Sequence, residues 1–283
     1  MPQLTVLGAG TMGHGIAHAA MMAGYDTTMY DVAEAALDKG RSAIAAIIDK
    51  GVELGKVTAA DAAAARARLR TTADFADAVG DARFIIEAAP EKIALKLSIL
   101  GDIERLAPPD AIIASNTSSL SITEMGAALS NPARLAGMHF FNPVHKMKLV
   151  EIVRALESSG ETVGAIEEVA RAMGKDTVVV RDSAGFITSR VNAMIGNEAF
   201  FMLQEGVASA RDIDKALKLG LNHPMGPFEL VDLVGLDTRL SVLEFLHKSL
   251  GEKYRPCPLL VQHVKAGRLG RKVGKGVYEY PRP

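Results

Sequence analysis

The sequence predicts an α/β protein: a doubly wound parallel sheet followed by a smaller all-α C-terminal domain. Up to Arg181, short apolar runs of strand length alternate with helical stretches, a pattern typical of a parallel sheet covered by helices. Beyond that residue the spacing is helical, with no convincing strand before the end. We therefore predict two domains, 1–182 and 183–283.

The predicted elements follow from hydrophobic spacing and from glycine breaks. Strands are expected at 3–7, 25–30, 84–87, 111–114, 135–140, 148–153 and 177–180. In the first domain, helices are expected after the first strand, over 33–70 with breaks near Gly51 and Gly55, and at 91–106 and 121–129. In the second domain they are expected at 183–205, 210–219, 227–250 and 258–266.

Composition excludes several classes of function. The formal net charge is −1, so no overall field attracts nucleic acid, and the absence of Trp argues against base-stacking platforms. Cys257 is the only cysteine, which rules out an intramolecular disulfide and indicates a reducing compartment. With no secretory signal and no apolar run of about 18 residues, we expect a cytoplasmic protein with neither a membrane nor a nucleic-acid partner.

A glycine-rich turn follows the first predicted strand. The run Gly8-Ala9-Gly10-Thr11-Met12-Gly13 matches G-x-G-x-x-G between a strand and a helix, the Rossmann-type fingerprint for a dinucleotide pyrophosphate. Asp31 ends the next strand, where a carboxylate accepts hydrogen bonds from ribose hydroxyls and repels a 2′-phosphate. The cofactor predicted is NAD. The alternatives are a glycine turn of another α/β protein and, for Asp31, a strand-end helix cap.

A histidine and a glutamate lie in neighbouring predicted strands. His139 ends the apolar run 135–140, and Glu151 interrupts the apolar run 148–153. A buried carboxylate is costly unless it is paired, and His139 is its nearest partner if the strands run side by side. Such a pair can remove a hydroxyl proton at neutral pH. The alternatives are a structural histidine and a solvent-facing Glu151.

Two further histidines, His14 and His18, share a helix face at the spacing of metal ligands. No third ligand accompanies them in the sequence. We therefore predict no metal site.

Several stretches, spread in order along nearly the whole chain, resemble the L-3-hydroxyacyl-CoA dehydrogenase family. They are 8–13, 87–91, 115–120, 139–143, 147–153, 182–186, 226–230 with Asp232, and 270–280. The resemblance implies an NAD-dependent oxidoreductase of fatty acid β-oxidation that interconverts a short-chain (S)-3-hydroxyacyl-CoA and the 3-ketoacyl-CoA.

The resemblance also assigns roles to single residues. His139 would be the general base in oxidation and the general acid in reduction, with Glu151 orienting its ring. Ser118 would bind the substrate oxygen near the nicotinamide. The alternative is that this run only starts a helix, because Ser121 and Glu124 form a capping box. Further cofactor contacts would come from the residues of the glycine turn and from Asp31, Glu91, Lys96, Asn116, Ser118 and Asn142.

Lysines are expected where a CoA phosphate enters, and Lys50 and Lys56 are the candidates. Without the resemblance, these two residues, like Glu91 and Lys96, would be taken as solvated charges, and Asn142 as a turn residue before proline.

The sequence departs from the family at one catalytic position. Ser189 stands where the family commonly has an asparagine, a few residues after Gly185-Phe186 and just before Arg190. Its contact with substrate would be altered, bridged by water or lost, and Asn192, one helical turn later, is a possible substitute.

Two other functions remain open. One is an NAD-dependent dehydrogenase of a CoA-free hydroxy acid or sugar acid on the same fold. The other is an inactive dinucleotide-binding protein. The exposed-looking apolar positions of domain 183–283 predict a partner surface, most simply for a second copy of the chain. We therefore expect a helical substrate and dimerisation domain that forms a homodimer.

Overall fold

The computed structural model describes residues 3–281, which form two compact units on either side of the Ser183–Ala184 bond. The first unit is α/β and the second is helical. This is the fold class that the sequence predicts.

An eight-stranded sheet forms the centre of the first unit. Its strands are β1 (Gln3–Leu7), β2 (Asp26–Tyr30), β3 (Leu69–Thr72), β4 (Phe84–Glu87), β5 (Ile112–Ser115), β6 (Leu135–Phe140), β7 (Leu149–Arg154) and β8 (Asp176–Arg181). The strand order is β3-β2-β1-β4-β5-β6-β7-β8. All neighbouring strands are parallel except β6 and β7, so the sheet is mostly rather than wholly parallel.

Seven helices belong to the described part of the first unit. They are α1 (Thr11–Met22), α2 (Glu34–Glu53), α3 (Ala59–Ala67), α4 (Phe75–Val79), α5 (Ile93–Leu106), α6 (Ile122–Gly126) and α7 (Gly160–Ala172). Four of them begin at a side chain that accepts a hydrogen bond from a first-turn N–H: Thr58, Asp74, Ser121 and Ser159. Such caps satisfy one of the free donors at the start of a helix.

The order of the strands reverses between β1 and β4. β2 and then β3 lie on one side of β1, and the next strand, β4, lies on the other side of β1. Open α/β sheets bind their ligands outside the carboxyl ends of the strands at such a switch point. The glycine turn after Leu7 lies at this position.

The second unit consists of five helices around its own apolar core. They are α8 (Thr188–Gln204), α9 (Ala210–Gly220), α10 (Pro227–Val234), α11 (Leu236–Leu250) and α12 (Pro258–Lys265). Phe200 and Phe228 meet edge to face at the centre, with ring centroids 5.2 Å apart. Ser209 caps α9 by accepting a hydrogen bond from the Asp212 N–H.

Three element predictions were wrong. The helix expected up to residue 70 ends at Ala67, and Leu69–Thr72 instead adds an edge strand beside β2. The helix expected over 227–250 is two helices, because Gly235 has φ 107°, outside the helical region. The helix expected from residue 183 begins at Thr188, after a turn in which Gly185 and Phe186 have positive φ.

None of the helices within residues 3–281 has both the length and the apolar character needed to cross a bilayer.

Candidate active site

Different structural features explain why glycine stands at each of the three positions of the turn. A Cβ on Gly8 would lie 2.7 Å from the Ala88 carbonyl oxygen, and a Cβ on Gly13 would lie 1.8 Å from the Gly8 carbonyl oxygen. The fold itself therefore requires these two. Gly10 has an ordinary φ of −67°, and a Cβ there would meet no described atom within 4 Å. No atom of residues 3–281 requires a glycine at position 10, so the open space beside it is available to a ligand.

Asp31 lies at the edge of this space. Its Oδ2 accepts a hydrogen bond from the Ala9 N–H at 2.9 Å, and its Oδ1 accepts one from the Ala33 N–H at 3.1 Å. The second bond is the local strand-end bond that the alternative interpretation predicts. The first ties the carboxylate to the glycine turn, so Asp31 holds a fixed orientation where β2 ends.

A cavity of about 500 Å³ opens between the glycine turn and the residues after β4. Its walls are mostly apolar: Leu7, Gly8, Gly10, Thr11, Met12, Tyr30, Asp31, Val32, Phe75, Ala88, Ala89, Pro90, Leu95 and Ile99. An apolar slot with one carboxylate at the glycine turn fits the adenosine half of a dinucleotide. Ala88, Ala89 and Pro90 were not predicted as cofactor contacts, although their place after the strand beside β1 could have indicated them.

Glu91 organises the loop between β5 and α6, residues 116–121, which we call the serine loop. Its Oε1 accepts hydrogen bonds from the Thr117 hydroxyl at 2.6 Å and from the Ser118 N–H at 2.9 Å. The Ser118 Oγ lies 3.3 Å from the same oxygen. Partial burial opposes ionisation of Glu91, but these bonds and the charge of Lys96 outweigh it and lower the pKa of the carboxyl. A carboxylate thus fixes the backbone around Ser118.

Lys96 is not a solvated charge. Its side chain is 1 % exposed, and Nζ lies 2.7 Å and 2.8 Å from the two carboxylate oxygens of the buried Glu87. Glu87 also accepts a hydrogen bond from the Ser115 hydroxyl at 2.5 Å, and Nζ lies 3.6 Å from Oε2 of Glu91. The ammonium faces these carboxylates beneath the serine loop and donates to the Ala89 carbonyl at 3.2 Å, and its contact with a cofactor stays a prediction.

The structure places His139 and Glu151 directly opposite each other. They are partners in the antiparallel register of β6 and β7, and Nδ1 of His139 lies 2.8 Å from Oε2 of Glu151. His139 is 6 % exposed and Glu151 is fully buried. An ionised carboxylate only accepts hydrogen bonds, so towards Glu151 the ring donates through Nδ1. Nε2 is the other ring nitrogen and the second atom at which an imidazole can exchange a proton.

Two asparagines lie at the ends of the strands around this pair. Asn116, just after β5, accepts a hydrogen bond through Oδ1 from the Phe140 N–H at 2.9 Å. It therefore joins the end of β5 to the strand that carries His139. Asn142 follows β6, and its peptide bond to Pro143 is cis.

The remaining predicted residues lie elsewhere. Lys50 pairs with Glu53 at 2.7 Å on α2, and Lys56 lines a separate cavity of about 340 Å³ with Asp61 and Arg68. Ser189 lies in the first turn of α8, in the helical unit. Within residues 3–281, no three His, Cys, Asp or Glu side chains are grouped to hold a metal ion.

The fold, the glycine turn and the cavity beside it define an NAD-dependent dehydrogenase, and the comparison with known families agrees. Residues 3–183 match the model of the 3-hydroxyacyl-CoA dehydrogenase NAD binding domain, and residues 185–280 match that of the 3-hydroxyacyl-CoA dehydrogenase C-terminal domain. The chain belongs to the 3-hydroxyacyl-CoA dehydrogenase family, and its cofactor is NAD.

Relatives match over nearly the whole chain. A probable 3-hydroxybutyryl-CoA dehydrogenase of Bacillus subtilis is 46 % identical over 98 % of this chain and 97 % of its own length. The crystal structure of (S)-3-hydroxybutyryl-CoA dehydrogenase from Ralstonia eutropha is 43 % identical, covers 100 % of both chains and superposes with a TM-score of 0.97. The crystal structure of 5-formyl-3-hydroxy-2-methylpyridine 4-carboxylic acid 5-dehydrogenase, an NAD+-dependent dismutase, is 31 % identical, covers 99 % of this chain and 91 % of its own, and superposes with a TM-score of 0.80.

Proposed function

We propose that this chain catalyses the NAD-dependent oxidation of a short-chain (S)-3-hydroxyacyl-CoA to the 3-ketoacyl-CoA, or the reverse reduction. The observation that carries the proposal is the buried pair of His139 and Glu151, with 2.8 Å between Nδ1 and Oε2. The names of the two relatives that match this chain from end to end support the substrate class.

His139 acts as the general base in the direction of oxidation. Its Nε2 takes the proton of the substrate hydroxyl while the carbon–oxygen bond becomes a carbonyl, and Glu151 stabilises the resulting imidazolium. When bound, NAD+ supplies the acceptor for the hydride that leaves the same carbon. In the reverse direction the imidazolium returns its proton to the oxygen.

The serine loop positions the second substrate contact. Ser118 donates a hydrogen bond to the reacting oxygen, and Glu91 holds the backbone N–H of the same residue. Asn116 and Asn142 support the nicotinamide end, because both border the strand that carries His139. Ser189 offers the substrate a hydrogen-bond donor on a shorter side chain than an asparagine would. Asn192 compensates for the lost reach.

Lys50 and Lys56 are proposed to meet the CoA phosphates, since both lie where α2 ends. Lys56 has the clearer case, because it lines a cavity, whereas Lys50 is paired with Glu53. The helical unit is proposed as a substrate and dimerisation domain that forms a homodimer. We retain the cytoplasmic location as a prediction.

The function is tested with His139→Ala. We expect kcat for acetoacetyl-CoA reduction to fall by at least about 100-fold, because a positioned acid–base group contributes that much or more. NADH affinity should stay within twofold, and His223→Ala in the helical unit serves as the matched control. A normal rate in His139→Ala would overturn the mechanism.

A CoA-free hydroxy acid is the second candidate. It is favoured by the likeness to the pyridine carboxylic acid 5-dehydrogenase, whose name gives a substrate without CoA. Turnover of 3-hydroxybutyryl-CoA and of free 3-hydroxybutyrate separates the two. We expect the thioester to be preferred, and a preference for the free acid would replace our proposal by the second one.

A further inference from the structure

The helical unit contains a cleft of its own, which we call the cationic cleft. Its volume is about 880 Å³, and every residue that lines it belongs to the helical unit. Ligand sites commonly enclose roughly 300–1,000 Å³, so the cleft has room for a small molecule. The side chains that give it its character are Arg211, Lys215, Lys218, Arg271, Tyr278 and Tyr280.

Three of the four cations lie on one face of α9. Arg211, Lys215 and Lys218 follow one another at spacings of four and three residues, which bring side chains together on a helix. Like charges at these spacings destabilise a helix. The arrangement is therefore unfavourable unless anions lie against it.

The carboxylates that line the cleft are engaged by other groups. Asp214 is 2 % exposed and accepts hydrogen bonds from two backbone N–H groups at the start of α10. Glu229 pairs with Lys218 at 2.7 Å, and Glu279 pairs with Lys275 at 3.1 Å. Of the cations on the cleft, only Lys218 is compensated in this way.

Three cations of the cleft have no carboxylate partner. Among residues 3–281, no carboxylate lies within ion-pair distance of Arg211, Lys215 or Arg271. The guanidinium carbon of Arg271 lies 5.2 Å from the centroid of the Tyr280 ring, and the hydroxyl of Tyr280 donates to the buried Asp232 at 2.9 Å. Stacking uses the face of a guanidinium and leaves its in-plane N–H groups to bind an anion.

We infer that the cationic cleft binds a nucleoside diphosphate, with Arg211, Lys215 and Arg271 around its phosphates. Three cations match the roughly three negative charges of a diphosphate ester at neutral pH. Arginine binds phosphate oxygens through paired N–H donors. The ring of Tyr278, whose hydroxyl is held by Asp214 at 2.7 Å, offers the base a stacking surface. The inference is independent of the proposed function, because no residue of the cleft takes part in the proposed reaction.

The test is a calorimetric titration of ADP into the protein saturated with NADH, which occupies the cofactor site. We expect one ADP to bind per chain. The double variant Arg211→Ala with Lys215→Ala should raise the dissociation constant by at least about 10-fold, because charge-assisted hydrogen bonds to phosphate are the strong ones. Lys248→Ala with Lys265→Ala, at two exposed lysines of the same unit, is the matched control and should bind ADP as the wild type does.

Adenosine and inorganic pyrophosphate test the two halves of the ligand. Each should bind more weakly than ADP. Pyrophosphate binding as tightly as ADP would refute a nucleoside ligand. No binding of ADP to the NADH-saturated wild type, or equal ADP affinity in the wild type and the double variant, would overturn the inference.

Titration with CoA identifies the source of the ligand, because CoA contains an adenosine diphosphate unit. If the double variant weakens the binding of ADP alone, the cleft is selective for a free nucleotide. If it weakens the binding of both molecules, the cleft accepts this unit from either. The double variant keeps Leu219, which also lines the cleft, so the homodimer proposed above should be unaffected. If it does not fold, Arg271→Ala carries the same comparison.

Discussion

At the scale of single residues, Gly10 shows how a glycine that packing does not explain reveals a ligand site. Gly8 and Gly13 are explained by backbone atoms that a Cβ would strike. Gly10 has no such explanation, since its φ is ordinary and its surroundings are open. A residue type that the fold does not require is best explained by a molecule that occupies the space.

Gly10→Ala should therefore weaken NADH binding without destabilising the fold. We expect the dissociation constant to rise by about 10-fold or more, because an added methyl in a filled site costs on the order of 1–3 kcal/mol. Fluorescence titration with NADH and the thermal midpoint measure the two effects. Gly101→Ala on α5, equally open, is the control, and unchanged NADH affinity in Gly10→Ala would contradict our account.

His18 makes the stability of the fold depend on pH. Burial lowers its pKa from 6.5 to about 4, assisted by the charges of His145, Lys175 and His14. Its Nδ1 is buried without a hydrogen-bond partner. The folded state thus keeps His18 neutral between pH 4 and 6.5, whereas the unfolded state binds a proton in that range.

Stability should consequently fall as the pH decreases from 6.5 towards 4, by roughly 3 kcal/mol at most from this residue. Above pH 6.5 neither state protonates His18, and this contribution is constant. Urea unfolding at pH 7.5, 5.5 and 4.5 measures the slope, which His18→Leu should reduce and His223→Leu should not. An identical slope in His18→Leu and wild type would refute this prediction.

At the scale of elements, a buried ionic network joins β4, β5 and α5 beneath the serine loop. Lys96 on α5 pairs with Glu87 at the end of β4, and Glu87 accepts the hydroxyl of Ser115 at the end of β5. Glu91 continues the network to Ser118. The network fixes the ends of two adjacent strands where the proposed chemistry takes place.

Replacing Lys96 alone should lower the free energy of unfolding more than replacing both Lys96 and Glu87. Lys96→Met leaves the Glu87 carboxylate buried without its cation, which costs about 3–5 kcal/mol of unfolding free energy. The double variant Lys96→Met with Glu87→Gln should recover part of this loss, whereas Lys92→Met, at an exposed neighbour, should have little effect. Urea unfolding gives the values, and a double variant less stable than Lys96→Met would be inconsistent with an ion pair.

The elements also show where local sequence patterns are insufficient. The caps at Ser121 and Ser209 could be read from the sequence, because a cap depends on residues within one turn. The edge strand β3 could not, because its backbone becomes a strand only through pairing with β2. Similarly, the antiparallel direction of β7 depends on its partner β6 and not on its own residues.

At the scale of the whole molecule, the helical unit exposes large apolar side chains. Val207, Leu219, Leu221 and Leu233 are each at least 50 % exposed. Exposed apolar side chains of this kind commonly mark a surface that binds another protein. They support the homodimer proposed above.

We expect light scattering with size-exclusion chromatography to give a mass near twice 30.0 kDa. The double variant Leu219→Glu with Leu221→Glu should shift the protein towards the monomer, because paired charges would be buried in the interface. Leu156→Glu, at a 79 % exposed leucine of the first unit, is the control. A monomeric wild type at micromolar concentration would exclude the homodimer.

The sequence by itself determined the fold class, the glycine turn with Asp31 and the choice of His139 and Glu151 as candidates. Each rests on residues close in the chain or on the period of one element. Tertiary structure decided that β6 and β7 pair in the register that joins His139 to Glu151. It also decided that Lys96 is buried against Glu87, because burial and charge pairing depend on residues that only folding brings together.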